Sequence, residues 1–139
     1  MVEKTKLARL VLSLLVVAAL TVSCAPKTLT EVITEEDFKQ DAFLCQDNGL
    51  EVDFQPGKIV CTGELEGQQV SAEITAELTG GGALLKIVRF TANGTDLAAG
   101  DYAHFNAELA KAPLVSPEGY AITSITITDK DITIVRTRQ

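Results

Sequence analysis

The sequence predicts an α+β domain, an antiparallel sheet of about six strands with two helices on one face, in the order α-β-β-β-β-α-β-β. Three observations lead there. Residues 69–79 alternate without a break, with Val70, Ala72, Ile74, Ala76 and Leu78 on one side and Ser71, Glu73, Thr75, Glu77 and Thr79 on the other. That period of two belongs to a half-buried strand. Similar runs are separated by Pro56-Gly57, Gly80-Gly81-Gly82, Asn93-Gly94 and Asp129-Lys130-Asp131, residues that set or tolerate turn backbone. Two other stretches carry apolar residues at helical spacing between start and stop signals.

The first helix begins at Thr34, whose hydroxyl can cap the first turn, while Glu35, Glu36 and Asp37 suit the positive end of the helix dipole. Ile33 and Phe38 form a hydrophobic staple. Phe38, Ala42 and Cys45 continue one face to Asp47-Asn48-Gly49, where left-handed backbone ends the helix. A hairpin follows. Leu50, Val52 and Phe54 alternate with Glu51, Asp53 and Gln55, and the return strand carries Ile59, Cys61 and Leu65. Beyond the strand at 69–79, residues 83–92 alternate poorly, because Leu84, Leu85, Ile87, Val88 and Phe90 populate both faces. Such a pattern predicts a bulge or burial on both sides. The second helix, about 100–112, has Tyr102, Phe105 and Leu109 on one stripe and Asp101, His104, Glu108 and Lys111 on the other, and Pro113 stops it. A final hairpin runs through Ile122–Thr128 and returns by Ile132, Ile134 and Arg136, its threonines and isoleucines favouring a pleated surface.

Ahead of this domain lies a different kind of segment. Lys4, Lys6 and Arg9 precede an apolar run from Leu10 to Leu20 that only Ser13 interrupts, the layout of an export signal. The run is short of the roughly 20 apolar residues that span a bilayer. It ends in Thr21-Val22-Ser23-Cys24, which resembles a bacterial lipobox, although Thr21 stands where leucine is usual. The resemblance implies thioether attachment of diacylglycerol to Cys24, cleavage before it and acylation of the new amino terminus. Residues 1–23 are then a signal peptide, 24–30 the lipidated cysteine and a spacer, and 31–139 one α+β domain. The protein would be exported and held by its lipid on the outer face of the cytoplasmic membrane or on an outer membrane. Two acyl signals hold a protein on a bilayer far better than one, at about 0.8 kcal/mol per buried methylene. Ordinary secretory cleavage after Ala25 is the rival, and Pro26 opposes it.

Charge and cysteines narrow the function. The precursor carries a net charge of -7 and grows more acidic once its basic leader is removed. Phosphate backbones repel such a domain, which excludes nucleic acid as a partner. Cys45 and Cys61 remain as a pair in an oxidising compartment, either linked or as two buried free thiols, and their spacing resembles no metal signature. A disulfide there is worth about 3 kcal/mol in the chain-entropy model. No cofactor motif is present. His104 is the only histidine and no serine lies in a Gly-x-Ser-x-Gly elbow, so a non-enzymatic protein is expected. Glu73 and Glu77 are spaced as a solvated strand face. Gly80-Gly81-Gly82 lacks a following lysine and reads as a turn, not a phosphate cradle.

Two segments carry a further resemblance. The strand-turn-strand Val52-Asp53-Phe54-Gln55-Pro56-Gly57-Lys58-Ile59-Val60 and the tail Ser124-Ile125-Thr126-Ile127-Thr128-Asp129, each after a helix, give a layout that resembles the LmeA-like phospholipid-binding family. The resemblance implies a curved sheet wrapping a helix over an apolar groove, and no catalytic residues. A ligand-binding wall would comprise Phe54, Ile74, Leu78, Phe90, Phe105 and Leu109, taking a phospholipid or another apolar molecule. The competing expectation is a structural or protein-interaction lipoprotein, in which these residues are simply core. The sequence names no protein partner.

Overall fold

The computed structural model describes residues 25–40 and 44–139. The expected signal segment, residues 1–23, and Cys24 lie outside the described residues, as does Ala42 of the expected first helix. In chain order the elements are β1 (Thr28–Thr34), α1 (Glu35–Gln40), α2 (Leu44–Asp47), β2 (Glu51–Gln55), β3 (Lys58–Leu65), β4 (Gln68–Thr79), β5 (Gly82–Ala92), β6 (Thr95–Asp96), a 3₁₀ turn (Ala99–Tyr102), α3 (Ala103–Ala110), β7 (Tyr120–Ile127) and β8 (Asp131–Arg138). The α+β class holds and every strand pair is antiparallel.

The strands form two sheets, not the single sheet of about six expected: β2-β3-β4-β5-β6 and β1-β8-β7. Two facts account for the difference. The stretch read as a spacer is not free, because Thr28–Thr34 pairs with β8 from Thr28↔Thr137 to Thr34↔Asp131, so the domain starts earlier than residue 31. The terminal hairpin, in turn, cannot extend the larger sheet at β5, because α3 and the chain around it occupy that edge. Instead β7 runs between two turns of the larger sheet. Ile122 N donates to Gly81 O at 2.9 Å, and Gly57 N donates to Ile127 O at 2.8 Å.

Local signals at the first helix behave as expected. The Thr34 hydroxyl accepts from Asp37 N at 3.1 Å and donates to Asp37 Oδ2 at 2.8 Å, a reciprocal cap. In β5 the poor alternation resolves into a bulge. Ile74 faces Ile87 and Glu73 faces Arg89, leaving Val88 as the extra residue. Gly82 is required by close packing, since a Cβ there would lie 2.8 Å from Leu114 O.

The core is built on two rows that cross the larger sheet. One is Phe54–Ile59–Ile74–Ile87 and the other Val52–Cys61–Ala72–Phe90. All eight side chains are buried. Phe38, Cys45, Tyr102 and Leu109 join the same cluster from the helices, and Ile122, Ile127, Ile132 and Ile134 from the smaller sheet. A Cys45–Cys61 disulfide, with Cα atoms 6.0 Å apart, fastens α2 to the middle of β3.

Candidate functional site

Five of the six wall residues expected from the sequence come together in this core. Phe54 and Ile74 stand in one row with Ile59 between them, and Phe90 in the next. Phe105 stacks on Phe90 with ring centroids 5.9 Å apart, and Tyr102 stacks on Phe90 at the same distance. Leu109, on the next turn of α3, is buried too. Leu78 is the exception. It lies opposite Ala83 near the β4–β5 turn and is 50% exposed, because the alternation of β4 runs past the helices that cover its middle.

The space among these wall residues is nearly filled. A gap lined by Leu44, Leu50, Ile74, Ile87, Phe90 and Phe105, among others, has a volume of about 20 Å³. That is room for roughly one water, whereas small-molecule pockets run to about 300–1,000 Å³.

Two helix side chains define the rim of this core: Asn106, to which the sequence pattern assigns no role, and Glu35, expected only as a first-turn acid. The carboxamide of Asn106 reaches from α3 to the bulged strand, where its Oδ1 accepts from Ile87 N at 2.7 Å and its Nδ2 donates to Ile87 O at 3.1 Å. It occupies the place of a neighbouring strand. At the opposite edge, Glu35 Oε2 accepts from Phe54 N at 2.8 Å. Phe54 and Ile87 are the two ends of one row, so a helix side chain closes each end of it. Unpaired edges invite another chain to add itself, and coverage of this kind prevents that. A signal existed for Asn106, since asparagine is a poor interior helix residue unless its side chain has a use. Its partner lies 19 residues away, beyond reach of local reading.

Charge is arranged around this rim. Glu35 also accepts from Lys39 at 2.6 Å. The Lys39 ammonium, and then the Phe54 N–H, hold the Glu35 carboxyl below its ordinary range, while Glu35 raises Lys39. Glu73 pairs with Lys58 on the outer sheet face, and Glu77 with Lys86 at 3.9 Å. Arg89 bonds Asp96 at 2.7 Å, which lowers the exposed Asp96 carboxyl. Arg136 follows Ile132 and Ile134 on the inward alternation of β8. Its side chain is 12% exposed and pairs with Glu31 at 2.7 Å. His104 is exposed and lies against the Phe105 ring, with centroids 3.9 Å apart.

No protein-family model, curated protein or solved structure matches the chain. The residues therefore carry the functional reading themselves.

Proposed function

We propose that the chain is an exported, lipid-anchored and non-catalytic module that acts through its surface, as a structural or protein-interaction lipoprotein. One observation carries the choice over an internal lipid site: the expected ligand wall is packed against itself, leaving about 20 Å³ beside Phe90 and Phe105, while the larger open hollow at Lys39, Gln46 and Glu51 lies away from that wall. A phospholipid tail would have to lift α3, breaking the two Asn106 bonds and unstacking Phe105 from Phe90. The basic start, the apolar run and Ser23-Cys24 support the anchor. The exposed setting of His104, which lies against the Phe105 ring and meets no acid among the described residues, supports a non-catalytic role, since general-base chemistry needs a positioned partner.

Leu109→Trp with native mass spectrometry tests this. In a filled core the larger ring overpacks, costing about 1–3 kcal/mol, and the wild-type domain flies without lipid. Co-purified phospholipid on the wild type, displaced by a Leu109→Trp variant of undiminished stability, would overturn the surface reading. The groove of the LmeA-like layout would then take its place.

A further inference from the structure

The chain that leads from Cys24 into the fold is short and fastened. Tyr120 Oη donates to Pro26 O at 2.8 Å, and Arg138 N donates to Lys27 O at 2.9 Å. Pairing of β1 with β8 starts at the next residue, Thr28. Only Ala25 separates Cys24 from the first fastened residue. Two residues reach about 7 Å at full extension, no more than the roughly 5–8 Å of headgroup layer on each side of a bilayer. A cysteine whose acyl chains lie in the hydrocarbon thus brings Pro26 to headgroup depth.

The residues gathered at this end suit that depth. Val115, 69% exposed, offers its carbonyl to Arg136, two residues from the end of β8. Leu78, 50% exposed, sits opposite Ala83, which pairs with Leu114. Tyr120 supplies an aromatic ring of the kind enriched at membrane interfaces. Lys27 and Arg138 are exposed, and long basic side chains reach phosphate while their stems rest on apolar surface. Acids lie near this end too: Glu31 is paired with Arg136, Glu77 with Lys86, and Glu118 precedes Tyr120 by two residues. The far end of the β7–β8 hairpin, at Asp129-Lys130-Asp131, is about 25 Å away along the strand.

We propose that the anchored domain does not swing on a tether but lies on the bilayer surface through these strand ends, with Val115, Leu78 and Tyr120 at the contact. The inference rests on the lipoprotein reading of Cys24. Its test is independent of cellular processing. Residues 24–139 contain every described element, and the disulfide leaves Cys24 as the one thiol free to couple to a maleimide phospholipid. The chain has no tryptophan, so single reporters are clean. Val115→Trp, Leu78→Trp and Asp129→Trp proteins would be coupled to phosphatidylcholine–phosphatidylglycerol vesicles carrying brominated acyl chains. Emission should be lost at positions 115 and 78 and retained at 129. Equal emission at all three positions would overturn the orientation, even with Cys24 acylated in cells. Absence of acyl labelling at Cys24 in cells would remove the lipoprotein reading, whatever the vesicles report.

Discussion

Removing the Asn106 carboxamide should be among the costliest single changes outside the hydrophobic side chains. Asn106→Ala takes away two hydrogen bonds, to Ile87 N and Ile87 O, and Ile87 is only 2% exposed. Each bond is worth about 0.5–1.5 kcal/mol, and a buried group left without a partner adds about 1–3 kcal/mol. Partial wetting of the opened edge offsets some of this, so the expected loss is about 2–4 kcal/mol. Urea unfolding followed by circular dichroism would read it. With a slope of about 2 kcal/mol/M, the midpoint should fall by about 1–2 M at unchanged slope. Asn106→Asp sharpens the test. The aspartate keeps an acceptor for Ile87 N but turns a carboxylate toward Ile87 O, so its folded-state pKa should rise. That variant should regain stability as pH falls through the raised value, when the protonated carboxyl can donate. A midpoint shift in Asn106→Ala below about 0.3 M, on the same scale, would refute the idea that this side chain stands in for a strand.

Further outcomes follow from the same contacts. Non-reducing peptide mapping should find Cys45 linked to Cys61, and the double alanine variant should lose about 3 kcal/mol; two freely alkylated thiols would contradict this. Because Glu35 is held below its ordinary range in the fold, its contribution is present above the unfolded pKa and is lost as pH falls through the folded one. Glu35→Gln should therefore flatten the acid limb of a stability–pH curve, and an unchanged limb would discount the Phe54 and Lys39 contacts. Cys24→Ala should abolish incorporation of a fatty-acid probe, and unchanged labelling would remove the lipid anchor.

Much of the fold was legible wherever the signal was local. The Thr34 cap, the strand at 69–79, the turn glycines and the disorderly alternation at Ile87-Val88 each depend on residues within a few positions. The larger sheet followed from them because its strands pair in sequence order. What escaped was set at a distance. Thr28-Leu29-Thr30 has weak alternation and becomes a strand only because β8 offers it a partner. The expected wall residues were the right apolar set. Alternation cannot tell a lined groove from a filled core, because that depends on how closely Phe105 and Leu109 approach from another element. Leu78 shows the converse, a strand position with the correct parity that extends beyond its cover.

The first strand, β1, has the last strand as its partner, Glu31 meeting Arg136 across 105 positions. In a chain that crosses a membrane N-terminus first, β2 through β6 can assemble as each arrives, since each needs only its predecessor. Were this chain exported as proposed, the first strand would wait for the very end of translocation. Until then Pro26 and Lys27 would be unfastened, leaving the peptide around Cys24 open to a processing enzyme. When Tyr120 and Arg138 arrive, they close on those two carbonyls and the approach narrows. Under the proposed lipidation, maturation and folding would compete for one stretch of backbone, and the topology would let maturation go first.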